Sequence, residues 1–234
     1  MSDDFSAERV ADRLAIQDVL SRWVRALDRG DFAALTRLYH PDAVNTQVEY
    51  VGDVAGLIDR MEKRHRDVEH SQHLLSPPLI EFAGPNSALV ETNVMATQRI
   101  RKGAPIAVGG TVPDFVGRSA VDTLSEGRYI DRFEKRDGTW KILQRTTTFE
   151  WIRMFEVPDG VFTARPEWAT GTRDRNDLVF TERAAMGIER NSDPASSVTH
   201  NRTEQAWQSG LGLSGQPSGG LGPARAPSGI GEPS

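Results

Sequence analysis

Cysteine is absent from the 234 residues, which removes thiol nucleophiles, disulfides and thiolate metal sites. Long apolar runs are missing as well: no stretch reaches the roughly 18 residues that a membrane-spanning helix requires. The opening Met1-Ser2-Asp3-Asp4-Phe5 is acidic and has no apolar region of the signal-peptide type. Positive charge is not in excess either. A formal net charge of −5 gives no electrostatic reason to expect nucleic acid or an anionic membrane as partner. Nothing resembles a nucleotide loop or a two-His-one-carboxylate set, so neither cofactor nor metal is expected. These absences leave a cytoplasmic protein as the expectation.

The apolar share of 38% and the charged share of 26% are unevenly spread. From about residue 191 the chain is rich in Gly, Pro and Ser, and such a segment cannot bury enough apolar surface to offset its ordering entropy. The expected organisation is one domain over 1–157, an extension over 158–190 lying on the sheet or the pocket mouth, and a disordered tail over 191–234.

Val10, Leu14, Val19, Trp23 and Leu27 recur at roughly helical spacing and predict a helix over 7–27 with one buried face. Asp31 is the expected N-cap of a short helix over 32–39, stopped by His40-Pro41-Asp42. A strand over 43–50 and a helix over 54–65 follow, and then the apolar period changes to two. Short extended runs at 71–75 and 79–82 precede two hairpins. Ala83-Gly84-Pro85-Asn86-Ser87 turns the first, and Arg136-Asp137-Gly138 turns the second, between strands over 128–135 and 139–151. Helices first and a mostly antiparallel sheet afterwards make an α+β chain, with the sheet curling over the helices into a cone-shaped pocket. Apolar residues at both parities, such as Ile142 with Leu143 and Phe149 with Trp151, predict burial of both sheet faces and hence a homo-oligomer, dimer or trimer.

Asp28, at the end of the first helix, is the most informative residue. A carboxylate at the edge of an apolar face is costly unless a cation or a hydrogen-bond donor meets it. His73 and Arg145, each inside a strand-like run, are the candidate partners. A lone histidine in a strand is more often a packing residue than a catalyst. It has nevertheless the near-neutral pKa of a general base, and a carboxylate beside it would fix its tautomer. Arg145 reads equally as an edge-strand charge or as a donor to an oxyanion or leaving group, since alternation alone does not say which face is inside. The basic cluster Arg60, Lys63, Arg64 and Arg66 is interleaved with acids and reads as a solvated helix face.

Asp-Arg-Leu-Ala-Ile-Gln-Asp-Val-Leu at 12–20, Ala-Leu-Asp-Arg-Gly-Asp-Phe at 26–32 and Tyr-His-Pro-Asp-Ala at 39–43 resemble the SnoaL-like branch of the nuclear-transport-factor-two-like superfamily. So do Gly127-Arg128-Tyr129, Asp131-Arg132-Phe133 and Lys135-Arg136-Asp137-Gly138-Thr139-Trp140-Lys141. The likeness keeps its landmarks in order over about 7–155 and is greatest to the group of scytalone dehydratase, bile-acid dehydratase and hexachlorocyclohexane dehydrochlorinase. What the resemblance implies is an Asp–His dyad of Asp28 and His73, with Arg145 at the place of a basic residue that assists the leaving group. It implies a cofactor-free lyase or isomerase acting on a cyclic, mostly apolar small molecule, dehydratase-like elimination being favoured. Trp23 departs from the Tyr or Lys that relatives carry five residues before the Asp; an indole offers one N–H donor and a flat wall. Trp23, Tyr39, Tyr129 and Phe149 are the expected substrate-binding walls. Since fold alone does not fix function, a non-catalytic binding module or partner subunit is the rival reading, and a dyad within hydrogen-bond reach inside a closed pocket would tell the two apart.

Overall fold

Helix α1 (Ala7–Asp28) starts where the Ser6 hydroxyl accepts a hydrogen bond from the Arg9 N–H, an N-cap that satisfies one otherwise orphaned donor. The computed structural model describes residues 6–47, 50–104, 113–159 and 167–188, so the expected tail over 191–234 lies outside the described residues. Along α1 the buried row is Asp12, Ile16, Val19, Leu20, Trp23, Ala26, Leu27 and Asp28. Val10 and Leu14, expected on that face, are instead 42% and 60% exposed. The five-residue step from Leu14 to Val19 turns the helix by roughly 140° from one row to another, at about 3.6 residues per turn. Asp12 takes the inward place because Trp140 Nε1 and Lys135 Nζ both donate to its carboxylate, at 2.7 and 2.8 Å.

Gly30, at φ +67°, turns the chain after α1, and Asp31 then caps α2 (Phe32–Thr36) by accepting from Ala34 N. This helix is shorter than the expected 32–39, because Tyr39 already belongs to β1 (Tyr39–Gln47). Pro41 is tolerated inside that strand at a register shift between Tyr39 and Val44, where its missing N–H breaks no ladder bond. Next come β2 (Tyr50–Asp53), α3 (Val54–His65), β3 (Val68–Leu75), β4 (Leu79–Gly84), β5 (Ser87–Ile100), β6 (Ala120–Arg136), β7 (Thr139–Val157) and α4 (Leu178–Ala185). The last two long strands extend well past the expected 128–135 and 139–151.

All seven strands form one sheet in the order β2-β1-β7-β6-β5-β3, with β4 also paired to β5. Among the described strands only β1 with β7 pairs in parallel. β3 and β4 share the free edge of β5, β4 on its first half and β3 on its second, with Pro77-Pro78 as the break between them. The β6–β7 register slips twice, beside Gly127 and beside Phe133. Bulges bend a strand and increase its twist, so these slips curl the sheet around α1. Gly127 is obligatory at the first slip: a Cβ there would collide with the Thr148 carbonyl oxygen. The concave face and α1 enclose a core of Ile16, Leu20, Trp23, Leu35, Leu57, Val90, Tyr129, Phe133 and Ile142. The expected class is thus the one observed, an α+β cone with a curved, mostly antiparallel sheet. Among the described residues no helix is long and apolar enough to cross a membrane.

Candidate active site

Edge strand β3 pairs with β5 so that Ser71 lies opposite Gln98 and His73 opposite Ala96. Ser71 and His73 therefore share the inward face of the strand, and His70 falls on the exposed side. That inward face meets the last turn of α1. Asp28, only 7% exposed, accepts three hydrogen bonds there: from Ser71 Oγ at 2.8 Å, from His73 N at 2.8 Å, and from His73 Nδ1 at 2.7 Å. Burial alone would push the Asp28 carboxyl up, but the bonds from His73 and Ser71 outweigh it and hold the group below the ordinary carboxylate range. A carboxylate can only accept, so Nδ1 of His73 must carry a proton, and in the neutral imidazole Nε2 then keeps a lone pair.

The network continues outward. Gln98 Nε2 donates to Ser71 Oγ at 3.3 Å, and Arg64 Nη2 donates to Gln98 Oε1 at 2.9 Å. His73, Gln98, Arg64 and His65 line a cavity of about 790 Å³ whose other walls include Trp23, Val94, Gly127, Tyr129 and Phe149. Arg60 and Arg64 thus turn toward the cavity, whereas Lys63 of the same cluster pairs with Asp59 at 2.6 Å as a solvated helix face does. A reading by charge run alone could not separate them; their i, i+4 spacing is the signal that puts both on one side of α3.

Trp23 stands edge-on to His73, with ring centroids 6.5 Å apart, and to Tyr129 at 5.2 Å. Its N–H donates to the Tyr39 hydroxyl at 2.9 Å, so the indole donor is committed away from any ligand. Tyr39 lies behind Trp23 and is not among the cavity-lining residues; burial pushes its hydroxyl pKa up, as it does that of Tyr129. Arg145, expected as leaving-group donor, also lies behind the wall. It is 1% exposed and forms a two-pronged ion pair with fully buried Asp131, at 2.7 and 2.6 Å. Its guanidinium carbon sits 4.3 Å from the Trp23 ring centre and 4.1 Å from that of Tyr129. Leu143 is the extra residue at the slip beside Phe133, so Ile142 and Arg145 both face inward although three positions apart. That is why alternation could not place Arg145. Burial works against its charge, but the Asp131 carboxylate more than offsets it and makes the guanidinium harder to deprotonate.

A further set of contacts comes from residues 167–188. Arg173 donates through Nε to Asp28 O at 3.1 Å, through Nη1 to Val68 O at 2.8 Å, and through Nη2 to Leu27 O at 3.2 Å and to His65 Nδ1 at 2.6 Å. It therefore ties the end of α1 to the end of α3 and the start of β3. Arg175 pairs with Asp31 at 2.9 Å, and Arg29 with Asp177 at 3.3 Å. Ser71, Gln98, Arg64, His65 and Arg173 escaped the sequence reading. Arg64 reads in the sequence only as part of a solvated basic face, the others are ordinary polar residues in ordinary runs, and it is the packing of α1, α3 and β3 that brings them together. Among the described residues no cluster of three or more His, Asp or Glu side chains could hold a metal ion.

Residues 8–146 match the sequence profile of the SnoaL-like domain, well over half of the chain. The protein belongs to the SnoaL-like family. Solved structures with the same fold include a provisionally named scytalone dehydratase from Novosphingobium aromaticivorans, 20% identical, covering 70% of this chain and 100% of that one at a TM-score of 0.53. They also include LinA, 21% identical over 71% of this chain and 100% of that one at a TM-score of 0.52. A third is the hexachlorocyclohexane dehydrochlorinase LinA-type3 from Novosphingobium barchaimii, 20% identical over 68% and 98% at 0.51. At these identities the likeness establishes the shared fold. Among curated proteins none matches the chain significantly.

Proposed function

We propose that the chain is a cofactor-free lyase or isomerase acting on a cyclic, mostly apolar small molecule, with dehydratase-like elimination favoured. The observation that carries this reading is the Asp28–His73 pair, in hydrogen-bond contact at 2.7 Å at the wall of a half-open cavity of about 790 Å³. His73 Nε2 takes a proton from a carbon next to an activating group. Asp28 holds the imidazole in the tautomer that can accept it and stabilises the imidazolium that results. In elimination the C–H and C–O bonds break, a C=C bond forms, and the proton and hydroxide leave together as water. Trp23, Tyr129 and Phe149 supply flat apolar walls suited to a ring. Arg145, neutralised by Asp131, acts through the two rings that it holds in place. Deuterium exchange in D2O, followed by proton NMR at the carbon beside the carbonyl of cyclic hydroxy-ketones, tests the reading. Exchange that disappears in His73→Ala is the expected outcome; exchange that persists in the variant, or is absent from the wild type across the panel, favours a carrier or partner subunit.

The same reading extends to assembly. Leu74 and Met95, paired across β3 and β5, are 58% and 40% exposed on the outer face of the sheet, and Leu89 adds to them at 43%. A second copy covering this face makes the homo-oligomer, and light scattering at micromolar concentration should report more than one chain.

A further inference from the structure

The cavity holds a second histidine that the dyad does not use. His65 closes α3, is 7% exposed, and lines the cavity together with His73. Its Nδ1 receives the Arg173 guanidinium at 2.6 Å, and Phe32 packs edge-on against the ring at 5.8 Å. Among the described residues Nε2 has no hydrogen-bond partner. A guanidinium can only donate, so Nδ1 must be a lone pair, and a neutral imidazole then carries its proton on Nε2. Burial, then Arg173, Arg64 and the neighbouring His73, all oppose protonation and outweigh the pull of the Asp28 carboxylate toward it. Donation from a cation draws electron density out of the ring and makes the remaining N–H a stronger donor without a charge on the residue itself.

We propose that His65, held by Arg173, is the fixed hydrogen-bond donor of the cavity, presenting Nε2–H to a carbonyl or hydroxyl oxygen of the ligand while His73 presents a lone pair. This rests on the cavity being the active site and names the feature of the substrate that it selects: an oxygen acceptor on an otherwise apolar ring. The donor depends on residue 173, which lies beyond the family profile over 8–146, so the C-terminal segment is part of this chain's site. Arg173 is a positioning residue, acting through His65.

Long-range proton–nitrogen correlation spectra of the full chain, with His65 assigned by its loss in His65→Gln, read the tautomer directly. The expected spectrum shows a protonated Nε2 and a bare Nδ1 from pH 5 to 8. Arg173→Met should let His65 titrate within that range, with Arg173→Lys less affected. A proton on Nδ1, an imidazolium at pH 6, or an unchanged His65 in Arg173→Met would overturn the assignment. Should the Met variant not fold, the wild-type spectrum and a ligand pair still decide. Calorimetry with 1-tetralone and tetralin, which differ by one carbonyl oxygen, should show a preference of about tenfold for the ketone, the scale of one hydrogen bond. His65→Gln, which offers Oε1 to Arg173 and an N–H to the ligand, should keep that preference, and His65→Phe should lose it. Equal binding of the pair by the wild type, including no binding of either, or a preference that survives in His65→Phe, counts against the proposal. None of these readouts needs turnover. A chain that prefers the ketone through His65 yet shows no His73-dependent exchange therefore fails as a lyase while keeping its donor.

Discussion

His73 and His65 share a cavity wall and differ in what occupies Nδ1. His73 donates its Nδ1–H to a carboxylate, and His65 accepts a hydrogen bond at Nδ1 from a guanidinium. The same side chain is thereby made an acceptor on one side of the ligand space and a donor on the other. Neither property is written in the imidazole; each is set by the charge behind it. On the proposed reading, the two imidazoles together offer both halves of acid–base chemistry.

The largest expected effect breaks the acceptor side. Once a substrate is found, His73→Ala should slow turnover by about a hundred- to ten-thousand-fold, the usual worth of a positioned general base. The double variant with Asp28→Asn should cost little beyond either single change, because residues that act as one unit are not additive. Steady-state rates on the three variants test this; independent, multiplying losses would mean that the two residues do separate jobs.

A second change sharpens the contrast by removing a charge that faces no ligand. Asp131 and Arg145 resemble the dyad in being a carboxylate and a base in contact, yet they are sealed behind Trp23 and Tyr129. Arg145→Met leaves the Asp131 carboxylate buried and unpaired, which should cost about 3–5 kcal/mol of stability. Urea denaturation measures it. A loss below about 1 kcal/mol would mean that water reaches the pair, and that Arg145 is open to the cavity after all.

Much of this arrangement is legible in the sequence. The strand after α3, the two hairpins and the inward pairing of Asp28 with His73 follow from turn residues, period and resemblance. What is not legible depends on single-residue slips and on distant contacts. The five-residue step in α1 moves Val10 and Leu14 off the core. The extra residue at Leu143 turns Arg145 inward. Arg173 looks like one arginine among several in a stretch without periodicity, and its meaning appears only where four backbone carbonyls and a histidine converge on it.

A third prediction concerns the donor side and is read from acid sensitivity. His65 is held at a pKa of about 3, because burial and then Arg173 disfavour its charge. An unfolded histidine titrates near 6.5, so between these values the unfolded chain binds a proton that the folded chain refuses. Stability from this group is complete above about pH 6.5 and is lost as pH falls toward 3, on the order of 2–3 kcal/mol by about pH 4.5. The buried carboxylates Asp28 and Asp12, both held below their ordinary value of 3.8, lose their contribution only at lower pH; Asp131 is pushed up by burial but is present in wild type and His65→Gln alike, so the difference between them reports His65. Chemical denaturation at pH 7.5 and 4.5 should show a flatter profile in His65→Gln than in the wild type. An equally steep profile would mean that His65 takes up its second proton in the folded chain as well, so that Arg173 does not hold Nδ1 as a lone pair and the donor is not the neutral ring proposed.

The smallest expected effect on stability, in Asp28→Asn, tests the acceptor side most directly. Asp28 is buried where a charge is expensive, and its three hydrogen bonds do little more than offset that cost. Asparagine keeps an oxygen for the His73 N–H and gains an NH2 that Ser71 Oγ or His73 Nδ1 can accept. The variant should therefore fold within about 1 kcal/mol of the wild type, or slightly more stably. Its chemistry should nevertheless be lost. An amide that donates to Nδ1 leaves the His73 proton on Nε2, which turns the base into a second donor and makes the two histidines alike. Nitrogen spectra of His73 should show that inversion, and turnover should fall with it. If Asp28→Asn costs several kcal/mol while His73 keeps its proton on Nδ1, Asp28 is a structural end to α1, and the acceptor must be sought elsewhere on the cavity wall.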